Sequence, residues 1–109
     1  MEVFVGRSAS DNDVLTFKIA AQGDFWLHVS GESGSHVVVR NPENLKSLPR
    51  DTLRFVAALA ARHSKAKNAG QVAVHVARVK DVKKTRGAPS GQVFLKRFRS
   101  VKVSPGEPV

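Results

Sequence analysis

The residues best suited to chemistry are crowded into DFWLHVSGESGSHVVVR, Asp24 to Arg40, which holds the only Trp (Trp26) and two of the four His (His28 and His36). Indole and imidazole planes can carry unstacked nucleobases, and an imidazole can also move a proton or ligate a metal. His28 and His36, with lysines nearby, could cleave an RNA phosphodiester, but no nucleophile motif or paired carboxylate accompanies them. A zinc site lacks its third ligand: there is no Cys and no HExxH, and His63 and His75 fall on other elements. Neither GxxxxGKS/T nor a strand-led GxGxxG is present, so nothing marks a nucleotide site. Asp11, Asn12 and Asp13 could hold a divalent cation, yet no fourth acidic ligand or loop Gly follows at calcium-loop spacing, and an Asx turn accounts for them. Two histidines on one hairpin face are more often structural or RNA-contacting than catalytic. Trp26 beside Val38 is either an exposed stacking plane or a core residue under a helix, and both readings stay open.

The elements that would position these residues follow from periodicity. Phe25, Leu27 and Val29 alternate with Asp24, Trp26, His28 and Ser30, the run Ser35 to Arg40 has high β-propensity, and GESG between them is turn chemistry. The pattern predicts a β-hairpin. A symmetric connection over Ser30 to Gly34 sets His28 opposite His36, Trp26 opposite Val38 and Asp24 opposite Arg40. One face then groups Trp26, His28, His36, Val38 and Arg40, while Phe25, Leu27, Val29, Val37 and Val39 form the apolar side. Met1 to Val5 predicts a short strand, SASDND a polar loop, and Val14 to Ile19 a second strand. Pro49 to Lys67 predicts the main helix, with Asp51 near its start, a stripe of Leu53, Val56, Ala57 and Ala60, and Arg62, Lys65 and Lys67 toward its end. Gln71 to Val79 alternates, Val72, Val74 and Val76 against Ala73, His75 and Ala77. Val93 to Phe98 and Val101 to Val103 predict two last strands joined around Arg97 to Ser100, with Phe94 and Phe98 assigned to packing. The sum is an α+β domain over residues 1–104, a mostly antiparallel sheet of about six strands with one main helix packed on it, followed by a Pro-rich tail at 105–109.

A chain of 109 residues suits one domain with a modest core. No run of about 18 apolar residues is available for a membrane span, and MEVFVGR lacks the basic start and apolar stretch of a secretory signal. The absence of Cys suits a reducing compartment, and the cytoplasm is the expected location. Charge is the informative property: 18 Lys and Arg against 9 acidic residues give a formal net charge of +9. Between residues 78 and 102, nine basic side chains stand against Asp81 alone. Such concentration is the electrostatic footprint of a polyanion partner, because phosphates need cations on flexible stems. The plain alternatives are a solvated basic surface and, for Arg62, Lys65 and Lys67, a favourable place at the negative end of the helix dipole.

The same stretches carry a family pattern. Gly6-Arg7, Asn12-Asp13, Leu15-Thr16, Asp24-Phe25-Trp26-Leu27-His28 and Gly34-Ser35-His36-Val37 follow one another, and then comes His63-Ser64-Lys65-Ala66-Lys67. Val79-Lys80-Asp81-Val82-Lys83-Lys84 with Gly87-Ala88 and Gly91 completes the series. In this order, over nearly the whole chain, they resemble the NFACT-R family, the R domain of the NFACT proteins. The family often has Pro before G-S-H, where this chain has Ser33, and an acidic-aromatic pair where it has His75-Val76. The resemblance implies an α+β RNA-binding module of proteins linked to ribosome-associated quality control, whose full-length members bind the large ribosomal subunit and tRNA. It implies a stand-alone R domain here, binding structured RNA, either tRNA or ribosomal RNA, with the ribosome as a further partner. RNA binding is the transferable part; peptide tailing is not carried over.

The candidate RNA contacts are Arg7, Trp26, His28, His36, Arg40, Lys65, Lys67, Lys80, Lys83, Lys84, Arg86, Lys96 and Arg97. No catalytic residue, cofactor, metal, membrane or small-molecule substrate is expected. Two rivals remain beside RNA binding. One is an RNase-like enzyme using His28 and His36, the other a basic protein-interaction module docking on an acidic partner.

Overall fold

The computed structural model describes residues 1–107. At its centre is the hairpin of β2 (Phe25–Val29) and β3 (Val37–Val39), in the expected register: Trp26 faces Val38 and Leu27 faces Val37. β1 (Val3–Val5) pairs outside β3, while β4 (Val72–Arg78) pairs with β2 on the other side. A short ribbon of β5 (Val82–Lys83) and β6 (Phe94–Leu95) stands apart from the main sheet. β7 (Arg99–Val103) closes the main sheet against β4, giving the antiparallel order β1-β3-β2-β4-β7. The architecture is α+β, with five strands in one sheet and two in the other.

The hairpin strands are apolar on both faces, and each face has its own cover. Helix α2 (Arg50–Arg62) lays Leu53, Val56, Ala57 and Ala60 on Phe25, Leu27, Val29, Val37, Val39, Val74 and Val76. On the opposite face Trp26, Val38 and Ala77 are covered by Leu15, Val79 and Val82, with Leu95 and Phe4 packed beside them. Three layers result. Trp26, left between stacking plane and core, is core at 1% exposure, though on the face away from α2. His36 is equally buried.

Several expectations need correction. Val14 to Ile19 is not a strand: helix α1 (Ala9–Val14) begins at an N-cap whose Ser8 side chain accepts from the Asp11 amide, and Leu15–Ile19 continues it as a π-helical turn. Asn12, Leu15 and Thr16 are buried at helical spacing, so packing on the sheet overrides the β-branched propensity of the run. The acidic segment is therefore helical, not an Asx turn. α2 stops at Arg62, and residues 63–68 form turns interrupted by an isolated bridge from Ser64 to Gly34. Val93 to Val103 is not a hairpin, because β6 pairs back to β5 while β7 pairs with β4. Phe94 and Phe98, assigned to packing, are 53% and 51% exposed, and of the two the Phe98 ring packs on that of His75 at 4.5 Å. Arg54 holds Glu107, and Arg62 donates to the carbonyls of Pro105 and Glu107 at 2.7 and 2.6 Å, which ties the described part of the tail to α2. Pro108 and Val109 lie outside the described residues.

Candidate nucleic-acid interface

Strand pairing lines up three histidines. His28 sits directly opposite His75 across β2 and β4, and the continued register of the hairpin brings the His36 ring to 5.5 Å from that of His28. Trp26 stacks on His28 at 5.8 Å and meets His36 edge-on at 5.0 Å. The indole Nε1–H has no hydrogen-bond acceptor among the described residues. A groove of about 1090 Å³ opens over this row.

His36 is a structural bolt. Its Nε2 lies 3.1 Å from the Gly91 carbonyl and its Nδ1 lies 2.8 Å from Thr16 Oγ1. A carbonyl only accepts, so Nε2 carries the proton and Nδ1 accepts from the threonine hydroxyl. One ring thus ties together the hairpin, the π turn and the loop before β6. Burial, with the neighbouring His28, pushes its pKa down to about 4 and keeps it neutral. Its backbone N–H donates to Asn12 Oδ1 at 3.0 Å, and Asn12 Nδ2 donates to the Gly34 carbonyl at 3.3 Å. This requires glycine at position 6, where a Cβ would stand 1.8 Å from Asn12 Oδ1.

His28 and His75 are the accessible members of the row. Burial pulls both below the ordinary value of 6.5, although the backbone at Val29 and Gly34 pulls His28 partly back. At neutral pH each is an uncharged ring with one donor and one acceptor nitrogen, suited to hydroxyls and base edges.

The rim carries the charge. Ser35 N–H donates to the His63 carbonyl at 2.8 Å and Lys65 N–H to the Ser33 carbonyl at 2.9 Å, stitching the segment after α2 to the hairpin turn. That stitch places Lys65 and Lys67 on the groove, together with His63 and, from the far side of the hairpin, Arg7. Among the described residues Glu32 is the one carboxylate lining it.

Of the candidate contacts, the groove gathers Arg7, Trp26, His28, His36, Lys65 and Lys67. Trp26 and His36 are too buried to meet a ligand and instead build the floor. Arg40 Nε is 2.8 Å from Asp24 Oδ2, an ion pair by distance without hydrogen-bond geometry. Lys84 is a pin: its Nζ is 3.2 Å from Asp13 Oδ2 and donates to the carbonyls of Pro89 and Gln92 at 2.6 and 2.9 Å. Lys80, Lys83, Arg86 and Lys96 are exposed outside the groove, and Arg97 lines a separate cleft. A His28–His36 acid–base pair is not available, since both His36 nitrogens are engaged. His63, Ser64 and His75 line the groove without having been singled out as contacts. The alternation of β4 put His75 on a face, but only its pairing with β2 shows which residue it meets.

Residues 1–97 match the family described as the NFACT protein RNA binding domain. The chain belongs to that family. Its NFACT-R signatures now have places: Asp24-Phe25-Trp26-Leu27-His28 enters and forms β2, Gly34-Ser35-His36-Val37 leads into β3, and His63 to Lys67 is the rim turn. The Rqc2 homolog RqcH of Bacillus subtilis is 36% identical over 105 residues, covering 96% of this chain and 18% of the relative. The Rqc2 homolog RqcH of Streptococcus suis is 37% identical over 106 residues, again covering 96% and 18%. This NFACT-R domain therefore spans less than a fifth of the length of these relatives. In three dimensions it matches the C-terminal part of the fibronectin/fibrinogen-binding protein from Streptococcus suis with a TM-score of 0.88 at 32% identity, over 96% of this chain and 41% of that one. Among the described residues, no helix is long and apolar enough to cross a membrane.

Proposed function

We propose that this domain binds structured RNA, tRNA or ribosomal RNA, in the histidine groove and serves translation or ribosome-associated quality control in the cytoplasm. The observation that carries the reading is the convergence of Arg7, Lys65 and Lys67, far apart in sequence, around a floor of neutral histidines. The three cations take phosphates, while His28 and His75 offer hydrogen bonds to 2′-hydroxyls or base edges. Trp26 and His36 hold the floor in place. Lys80, Lys83, Arg86 and Lys96 add attraction at longer range, which salt weakens. The names of the RqcH relatives support the assignment to quality control.

Fluorescence anisotropy against a tRNA, a single-stranded RNA and a duplex DNA at several salt concentrations tests this. The expected result is a preference for tRNA that survives raised salt. Replacing Lys65 and Lys67 by Ala should lower the slope of log affinity against log salt by about 0.7–0.9 per lysine. Failure to bind any of the three at low salt would end the RNA assignment.

A further inference from the structure

One edge of the main sheet is uncovered. β7 is the last strand in the order, and beyond its pairing with β4 the backbone of residues 99–103 has no hydrogen-bond partner among the described residues. Arg99, Ser100 and Lys102 are exposed along it. At its start lies an apolar cleft of about 290 Å³, walled by Leu48, Leu53, Val76 and Phe98. Lys46, Arg78, Arg97 and Arg99 rim the cleft, and no carboxylate lines it. It shares no lining residue with the histidine groove.

An open edge strand is a template for another strand, and basic side chains on it are a common guard against self-pairing. A second copy of β7 would bring Arg99 and Lys102 against like charges. The same charges admit an acidic strand. Protection alone does not need an apolar hole beside the edge. RNA is the poorer occupant: it has no amide ladder to offer β7, and a base in the cleft would turn its polar atoms toward Leu48, Leu53 and Val76.

We propose that the β7 edge and the cleft at its start form a docking site for an extended acidic peptide. The peptide adds to the sheet as one more strand, seats an apolar side chain in the cleft and sets its carboxylates against Arg97, Arg99 and Lys102. The site shares no lining residue with the groove and touches it where the Phe98 ring lies 4.5 Å from that of His75.

Selection of short random peptides displayed on phage, using the intact chain as bait, supplies the probe, and NMR of the labelled protein locates it. Enriched peptides should be acidic and carry an aliphatic or aromatic residue. They should shift the amides of residues 97–103 and slow their hydrogen exchange. Combining Arg97→Glu with Arg99→Glu should weaken binding by about tenfold or more, and so should replacing the apolar residue of the peptide by Ala. Both arginines are exposed, so the variant keeps its fold, which unchanged amide signals elsewhere verify. No enrichment of acidic peptides, shifts confined to the histidine groove, or larger shifts of the same amides by oligouridylate would each overturn the proposal.

Discussion

His36 shows how a single neutral imidazole can govern the pH response of the domain. Its pKa of about 4 in the folded chain lies below the 6.5 it has when unfolded. Between those values the unfolded chain binds the proton and the folded chain does not. The contribution is therefore complete above pH 6.5 and is lost as the pH falls toward 4, by about 3 kcal/mol in total. Urea unfolding at pH 7 and pH 5 should show the loss, and His36→Gln should flatten the dependence while lowering stability at both pH values. His28 and His75 respond at the groove instead. Both are held below 6.5, so they gain charge only on acidification beneath that value, and a polyanion then binds more tightly. RNA affinity at constant salt should rise as the pH drops below 6.5, and the rise should be smaller in a protein carrying His28→Gln and His75→Gln, which keeps His63 on the groove. The sequence already placed Trp26, His28 and His36 on one face. It did not show which rings stay open to solvent, because that depends on the layer built by Leu15, Val82 and Leu95.

Among the elements, the stitch between the hairpin turn and the segment after α2 is sensitive to a small change. A Cβ on Gly34 would lie 2.7 Å from Ser64 Cβ and 3.2 Å from the His63 carbonyl oxygen, inside contact distance of atoms that cannot rotate away. Gly34→Ala should cost about 1–3 kcal/mol. It should also weaken RNA binding, since Lys65 and Lys67 move with the stitch; thermal melts and anisotropy on one preparation measure both effects. Elements defined by local rules were legible. The hairpin register followed from a short loop, and the α2 stripe of Leu53, Val56, Ala57 and Ala60 from its helical spacing. Residues 14–19 were not, because their alternation is genuine and only the sheet beneath selects a helix that buries Asn12, Leu15 and Thr16. The partners of β6 and β7 were equally hidden. Nothing local in Val93 to Val103 states that one strand returns to Val82 and the other to Val74.

At the scale of the whole molecule, the two covers of the sheet divide the labour. α2 supplies most of the apolar burial, while the thinner layer over Trp26 also holds the groove floor. Trp26→Ala should cost about 3–5 kcal/mol, a large part of the usual 5–15 kcal/mol of a small domain, and chemical denaturation would measure it. That thinner cover has a consequence for biosynthesis. The central hairpin is complete by Val39, whereas the residues that cap its Trp26 face run as far as Leu95. A nascent chain elongating at roughly 5–20 residues per second thus presents Trp26 and Val38 with only the upstream Leu15 and Phe4 to cover them for some seconds before Val79, Val82 and Leu95 are made. During that interval the half-made domain is a client for chaperones, and a chain that stops before Val79 keeps this face only partly covered.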